Sequence, residues 1–322
     1  MQHFINAFRL ASQCYPKPSQ LRKRVSLILK LHFAFPRLTR ELEAFFDANE
    51  LRRFIFNLPE FKTNIYKQQT HPCLYRNSTH KSRTKYLKEH FQFLEETHNH
   101  RSIKKIYQDK FSPFSIKAGQ NDLAINLSYA GHILREGMLS LTVSFNSSTI
   151  CRLTFWFSIV DGKKSLVIGC LQGKRNALDD YKEFTKSLFG IRPQNMAIIA
   201  LRIYADRLGI EQILTFPKKS LYSKGISKDS CLDILWTEQG KQVLLTKPFI
   251  KINSDNARKK LTDIPTHKRS LYKKRYAFLD KLEAEMSSFL NIHTLHRFSE
   301  ADLVQTSVQQ KLLASSPITA TP

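Results

Sequence analysis

The segment Ile168-Gly-Cys-Leu-Gln-Gly-Lys-Arg175 places two cations directly after an apolar run and a glycine. A helix that begins here would offer unpaired backbone N–H groups and a partial positive charge, and Lys174 with Arg175 would add formal charge. Such an arrangement is typical of phosphate binding, so Gln172, Gly173, Lys174 and Arg175 form a candidate anion site. The spacing matches neither a Walker loop nor a dinucleotide-binding fingerprint. An ordinary strand-to-helix turn explains the same residues, and both interpretations stay open.

Arg192, in Phe189-Gly-Ile-Arg-Pro-Gln194, is a further candidate for anion binding. Pro193 restricts the preceding residue to an extended conformation, so Arg192 would project from a stiff elbow between two helices. It either faces the same ligand as Lys174 and Arg175 or binds nearby carbonyl and carboxylate groups as a structural contact.

The segment His267–Tyr276 interleaves lysines and arginines with two tyrosines. Helical spacing brings several of these residues to one side, and the mixture suits phosphate contact combined with base stacking. A surface helix with inward tyrosines and hydrated lysines is the commoner arrangement. The candidate RNA-binding residues are Lys268, Arg269, Tyr272, Arg275 and Tyr276.

Two carboxylates beside glycines are the candidate catalytic groups, Glu136 in Arg135-Glu-Gly137 and Glu238 in Trp236-Thr-Glu-Gln-Gly240. A desolvated carboxylate can act as a general base, although a turn or strand-edge role is more ordinary. The histidines show no pair at metal-ligand spacing on a recognisable helix, so we predict no metal site.

The composition favours an anionic partner. The chain has 322 residues, with 51 Lys plus Arg against 27 Asp plus Glu, a formal net charge of +24. RNA, an acidic membrane surface or a phosphate-bearing small molecule such as acyl-CoA would each supply the opposite charge. Composition alone does not choose among them, and it leaves the oligomeric state open.

Apolar periodicity predicts an α+β fold, in which a helical N-terminal third precedes a mixed, mostly antiparallel sheet with flanking helices. Helical spacing runs from about residue 20 to 117. Period-two patterns then predict strands, Asp161-Gly162 predicts a tight reversal, and Gly190 and Gly209 predict helix ends. The predicted strands are 123–129, 139–145, 151–160, 165–171, 210–216, 232–236 and 243–249, and the later helices are 176–188, one following Pro193, and 266–290.

The same pattern divides the chain into a basic helical region (1–118), an α+β core domain with a basic C-terminal helix (119–290), and a variable tail (291–322) that we predict to be disordered. The five cysteines are odd in number and widely spaced, which predicts reduced thiols, with Cys151 and Cys170 as small strand hydrophobes. No secretory signal core and no membrane-length apolar run occurs, which predicts a cytoplasmic protein without a transmembrane segment. Peripheral attachment to the inner membrane stays an alternative, because a basic amphipathic helix can lie on anionic lipid.

Several of these motifs together resemble the VirK/YbjX family of enterobacterial proteins. The resemblance covers roughly residues 20 to 285 and implies a cytosolic accessory factor linked to virulence, envelope properties and tolerance of antimicrobial peptides. It implies no reaction, and Phe91 stands where the pattern has a tyrosine. The matching segments are Arg83–Phe91, Arg135–Gly137, Ile168–Gly173, Gly190–Pro193, Leu235–Gly240 and Lys268–Tyr276.

The order of antiparallel strands, glycine-containing strand end, helix and strand also resembles the core of acyl-CoA N-acyltransferases. This likeness implies that residues 172–175 would hold the pyrophosphate of coenzyme A. The glycine spacing of that fold is absent here, and two helices precede the next strand. Two functions follow as hypotheses: an accessory protein that binds acyl-CoA or another phosphate-bearing ligand, acyltransferase-like if it is an enzyme, or a non-enzymatic RNA-binding regulator of virulence genes.

Overall fold

The computed structural model describes residues 2–108, 111–118, 121–131, 135–217, 220, 243–244, 249–252 and 258–295. This part of the chain contains ten α-helices, of which seven precede the sheet. A π-helical turn, Lys30–Ala34, follows the second helix. The helices are α1 (Gln2–Cys14), α2 (Leu21–Leu29), α3 (Leu38–Asp47), α4 (Glu50–Phe56), α5 (Pro59–Thr70), α6 (His80–Thr97), α7 (His100–Gln108), α8 (Leu178–Ser187), α9 (Pro193–Arg207) and α10 (Thr266–His293).

One sheet of eight described strands has the order β1-β2-β3-β4-β5-β6-β8-β7. Every neighbouring pair is antiparallel except β5 and β6, which are parallel and joined through α8 and α9. A parallel pair needs such a crossover, because its two strands begin at the same edge. The strands are β1 (Phe111–Ala118), β2 (Asn121–Tyr129), β3 (Leu139–Phe145), β4 (Ser148–Val160), β5 (Lys163–Gly173), β6 (Gln212–Thr215), β7 (Val243–Leu244) and β8 (Ile250–Ile252).

The predicted α+β class is confirmed, and local turn chemistry explains much of the agreement. Asp161 and Gly162 both have positive φ, 51° and 74°, as the predicted tight reversal between β4 and β5 requires. Asn146 and Ser147 form a second such reversal between β3 and β4, at φ of 49° and 63°. The predicted strand 232–236 lies outside the described residues.

One correction concerns the segment before the sheet, because residues 111–117 were predicted as helix and form β1 instead. β1 lies at the edge of the sheet and pairs with β2 alone, and its register shifts between Phe111 and Phe114. Pro113, which has no N–H to donate, sits inside this irregularity. An edge strand tolerates a proline that a helix interior does not, so pairing with β2 overrides the helical spacing.

The helical region and the sheet share one continuous hydrophobic core. Its centre is aromatic: Phe61 of α5 contacts the rings of Phe91 of α6, Tyr107 of α7 and Tyr129 of β2. On the sheet, α9 packs against β3, β4 and β5, and α10 packs against α9 and β1. Helices α9 and α10 therefore lie side by side, which positions the cavity described below.

Candidate anion-binding site

The first candidate segment, residues 172–175, ends β5 and leads into a loop. Helix α8 begins only at Leu178, two residues later than predicted, and its first turn contains Asp179 and Asp180. Lys174 Nζ lies 2.8 Å from a carboxylate oxygen of Asp180 and 3.0 Å from Ser148 Oγ. These carboxylates already neutralise the positive end of α8 and the Lys174 charge. Arg175 is exposed, and anion binding at 172–175 stays a prediction.

Gly173 has a packing role in this loop. A Cβ at position 173 would overlap the hydroxyl of Tyr181, which donates to the carbonyl of Ile150 at 3.1 Å and lies at the same distance from that of Lys174. The glycine therefore lets α8 approach the end of β5. This requirement supports the interpretation of the segment as a structural strand-to-helix turn.

Glu136 and Gln172, predicted for different roles, lie together. Gln172 Nε2 donates to Glu136 Oε2 at 3.2 Å, and Thr154 donates its hydroxyl to the Glu136 carbonyl at 3.1 Å. Burial raises the pKa of the Glu136 carboxyl, and a side-chain hydrogen bond with Cys170 opposes that rise. A raised pKa suits a general base, so Glu136 stays the catalytic candidate within the described residues. Glu238 lies outside them.

Arg192 occupies the position that the sequence predicts. It is the N-cap of α9, with extended φ and ψ of −79° and 151°, and Pro193 follows as the first helical residue. Its side chain is exposed. Arg192 is not among the residues that line the cavity next to it.

That cavity, of about 260 Å³, lies between α9 and α10. Isoleucines of α9 and Leu279 of α10 form its apolar wall. Among the described residues, four cationic side chains and one carboxylate, Glu283, line it, which gives this part of the lining a positive charge. The cations are Arg202 of α9, Arg258 and Lys259 before α10, and Arg275 of α10.

Two contacts hold Arg275 in the lining of the cavity. Its Nε donates to the carbonyl of Phe189 at 2.8 Å, and its guanidinium lies 4.3 Å from the ring centroid of Tyr272. Gly190, at φ of +83°, leaves room for the guanidinium, which a Cβ there would strike. Phe189 and Gly190, both at positive φ, follow the C-cap of α8, and the missing side chain of Gly190 makes room for Arg275 as well.

The opposite wall is built around Tyr276. Its hydroxyl donates to the carbonyl of Lys259 at 2.9 Å, and the Arg258 guanidinium lies 5.4 Å from its ring centroid. Arg258 is also paired with Asp280 at 2.6 Å, so its position is fixed by carboxylate and aromatic contacts together. Arg202, on α9, is only 8% exposed.

The five candidate RNA-binding residues separate into two groups. Tyr272, Arg275 and Tyr276 line the cavity. Lys268 is exposed on α10, and Arg269 donates to the carbonyl of Ile264 at 2.9 Å, an intramolecular contact near the start of the helix. The tyrosines are half-buried against arginines, so they differ from an open stacking platform.

Sequence reasoning missed Arg202 and Arg258. Arg202 carried a usable signal, because Asn195, Ile199 and Arg202 recur at helical spacing on one side of α9 and all line the cavity. Arg258 carried none, since its approach to α10 depends on the path of the preceding chain.

A second basic cavity, of about 240 Å³, was also missed. It lies between α2, α5 and the loop after α5, and the described residues of its lining include no Asp or Glu. Burial lowers the pKa of His71, with further lowering by Lys30, Arg135 and Arg83. The cationic lining residues are Lys23, Lys67 and Arg135, with His71 beside them.

The remaining predictions that the structure addresses concern membrane-spanning helices and the cysteines. Among the helices that the structure describes, none has both the length and the apolarity needed to cross a bilayer. Cys151 and Cys170 are buried in β4 and β5 as predicted, whereas Cys231 lies outside the described residues.

Comparison with known proteins gives a family without an assigned reaction. The family model described as "Protein of unknown function (DUF535)" matches residues 16–288. The "Uncharacterized protein YbjX" of Escherichia coli (strain K12) is 22% identical over 229 residues, which are 67% of this chain and 69% of that protein. An "Uncharacterized protein" of Haemophilus influenzae is 28% identical over 173 residues, 51% of this chain and 57% of that protein.

A second Haemophilus influenzae "Uncharacterized protein" is 29% identical over 171 residues, half of this chain and 55% of that protein. No solved structure matches the chain. The family model covers most of the described residues, including the segments on which the resemblance was based. The chain therefore belongs to the DUF535 family, the VirK/YbjX-like proteins.

Proposed function

We propose that the protein binds a phosphate-bearing small molecule in the cavity between α9 and α10. The observation that carries this proposal is the convergence of Arg202, Arg258 and Arg275 on a partly apolar cavity, where Glu283 is the one lining carboxylate among the described residues. Arginine binds phosphate through a planar fork of donors, and it keeps its charge when partly buried.

The size of the cavity narrows the ligand class. Ligand pockets usually span about 300–1,000 Å³, so a cavity of about 260 Å³ suits the charged head of a ligand and not a whole acyl-CoA. A nucleotide-like head group would place phosphate on the arginines and a ring beside Tyr272 and Tyr276. Coenzyme A thioesters have such a head group, with the acyl chain left to extend beyond the cavity.

Acyl transfer is the reaction that this ligand class suggests. The parallel pair of β5 and β6 after antiparallel strands supports the analogy with acyltransferases, and Glu136 is the candidate base. Catalysis at Glu136 would extend the proposed binding function, and it requires an acyl acceptor near this carboxyl. The family resemblance supports a cytoplasmic accessory role connected with envelope properties, antimicrobial-peptide tolerance and virulence.

RNA binding is the alternative. Lys268, Lys273 and Lys274 are exposed along α10 and favour contact with an extended phosphate backbone. The half-buried tyrosines favour the small molecule, because unstacked bases need an open aromatic face. The salt dependence of the affinity distinguishes RNA binding from small-molecule binding, since the affinity for an extended phosphate backbone falls steeply with salt concentration.

The test is calorimetric titration with acetyl-CoA, a long-chain acyl-CoA and a short RNA. Arg275→Gln is expected to weaken acyl-CoA binding by roughly tenfold to a hundredfold, the value of a charge-assisted hydrogen bond. Lys274→Gln removes the same charge from the same helix outside the cavity lining and is the matched control. Thermal unfolding of both variants checks that the Phe189 contact of Arg275 is not needed for folding.

Three results would change this assignment. Equal weakening of acyl-CoA binding by Arg275→Gln and Lys274→Gln would show that the cavity is not the binding site and that affinity depends only on the overall positive charge. Loss of binding in Lys174→Ala/Arg175→Ala, with Arg275→Gln unaffected, would return the site to residues 172–175. Saturable, salt-sensitive binding of RNA without acyl-CoA binding would favour the regulator.

A further inference from the structure

The first two helices expose an unusual amount of apolar side chain. Twelve large apolar side chains are exposed in the described part of the chain, and seven of them lie between residues 4 and 33, while the other five are spread over residues 159–295. Scattered exposed apolar residues need no explanation, whereas a concentration of them marks an interaction surface. The seven are Phe4, Ile5, Phe8, Leu21, Val25, Leu29 and Phe33, with exposures from 44% to 71%.

These side chains form a connected surface. Leu21, Val25 and Leu29 follow one another at four-residue spacing along α2, and Phe33 continues that spacing into the π-helical turn. The ring centroid of Phe4 lies 5.9 Å from that of His32, and His32 lies 4.7 Å from Phe33, so α1 meets the π-helical turn that continues α2.

The inward sides of both helices are already occupied. Ala7, Leu10 and Ala11 of α1 are buried in the shared core, as are Leu27 and Ile28 of α2. The exposed residues are therefore a second apolar surface, separate from the one that attaches these helices to the protein. We call it the α1–α2 surface.

The charged residues of the segment that forms the α1–α2 surface are all cationic. Residues 1–40 contain no Asp or Glu, and the first carboxylate of the chain is Glu41. Arg9, Lys17, Arg22 and Lys23 are exposed beside the apolar residues. The eight cations of this stretch are Arg9, Lys17, Arg22, Lys23, Arg24, Lys30, Arg37 and Arg40.

We propose that the α1–α2 surface docks the protein on an anionic lipid bilayer. Exposed Phe, Leu and Ile side chains with cations at their edge match an interfacial helix pair, in which apolar groups enter the acyl boundary and cations meet lipid phosphates. A second copy of the chain is a poorer occupant, because a two-fold contact would bring the same uncompensated cations together. The proposal is independent of the cavity between α9 and α10.

The test is co-sedimentation of the purified protein with vesicles at low salt. Binding is expected to vesicles of phosphatidylglycerol and phosphatidylcholine, and not to phosphatidylcholine alone. Phe8→Ser/Phe33→Ser should weaken binding by roughly tenfold or more, as expected for two phenyl groups that leave the lipid. Leu178→Ser/Leu271→Ser removes two exposed apolar residues elsewhere and should leave binding unchanged.

A charge variant tests the other half of the proposal. Arg9→Gln/Lys17→Gln/Arg22→Gln should weaken binding by about a hundredfold, because each cation near the lipid surface contributes roughly fivefold. Absence of sedimentation at low salt, or equal loss in the Leu178→Ser/Leu271→Ser control, would overturn the proposal. A concentration-dependent dimer that Phe33→Ser dissociates would instead assign the surface to a second copy.

Discussion

His90 and His98 are completely buried, and their hydrogen bonds favour neutral imidazoles. His90 Nδ1 accepts the backbone N–H of Phe157 at 3.2 Å, and its Nε2 lies 3.3 Å from the Tyr107 hydroxyl. A protonated Nδ1 could not accept that N–H. Burial lowers the pKa of each histidine to about 3, and the second contribution to His90 is repulsion from His98.

The sign of the pH effect on stability follows from the number of protons that the folded and unfolded states bind. An unfolded histidine takes up a proton below about pH 6.5, while the folded imidazoles stay neutral down to about pH 3. The unfolded chain therefore binds more protons in this window, and stability falls as the pH falls. Between about pH 7.5 and pH 5 each histidine should lower the free energy of unfolding by about 2 kcal/mol, or about 4 kcal/mol together.

Equilibrium urea unfolding across this pH range at constant salt measures the effect. In His90→Asn the side-chain oxygen can replace Nδ1 as the acceptor for Phe157, and the titrating group is gone. Between about pH 7.5 and pH 5, the free energy of unfolding of the variant should fall by about 2 kcal/mol less than that of the wild-type protein. Phe91→Leu, a packing change at the next residue of α6, is the control and should lower stability equally at each pH.

An acid-induced loss of the same size in wild type and His90→Asn would refute this reasoning. It would mean that His90 is protonated in the folded state, or that carboxyl groups control the whole response. Burial raises the pKa of Glu136, so its contribution is largest at low pH and is lost as the pH rises through its folded pKa. Glu136 thus opposes the histidines, which makes the comparison between variants more decisive than the wild-type curve.

Two further predictions concern glycines. Gly169→Ala should destabilise the protein by at least about 1–3 kcal/mol in urea unfolding, because a Cβ there would overlap the backbone carbonyl of Glu136, which cannot move as a side chain can. Gly162→Ala, in an open turn, should cost only the penalty for its positive φ, about 1–2 kcal/mol. Gly190→Ala should lower the free energy of unfolding by about 1–2 kcal/mol, the penalty for a positive φ. It should also weaken acyl-CoA binding, because the added Cβ would displace Arg275. An unchanged calorimetric affinity would show that Gly190 does not position Arg275 for binding.

Local signals predicted the elements best. The alternation of Leu139–Phe145 gave β3 its bounds, and Asp161-Gly162 marked the reversal after β4, since both depend only on neighbouring residues. The helical spacing that continued to residue 117 was misleading, because β1 is a strand through its pairing with β2, a partner outside the segment itself. Asn146-Ser147 lacked a glycine, so the reversal before β4 carried a weaker signal.

The candidate site was less accessible from sequence. The Tyr272–Tyr276 segment, which lines the cavity, was singled out because a helical spacing constrains it locally, whereas Arg192, singled out through Pro193, lies outside the lining. The engagement of Lys174 by Asp180 requires the first turn of α8 to fold back onto the end of β5. Helical spacing groups Arg202 with Asn195 and Ile199 on one side of α9. It does not show that Arg202 and Arg275 line one cavity, because that requires two helices about 70 residues apart in the chain to pack side by side.

The positive charge of the protein is distributed over surfaces of different physical character. Around the α1–α2 surface, exposed cations would meet lipid phosphates in water, where salt screens them over about 10 Å. In the cavity between α9 and α10, Arg202 is buried and Arg275 is fixed by a carbonyl and a ring, so screening is weaker. Added salt should therefore release the protein from vesicles well before it releases a bound ligand. Loss of vesicle binding and ligand binding at the same salt concentration would indicate that one diffuse electrostatic attraction causes both interactions.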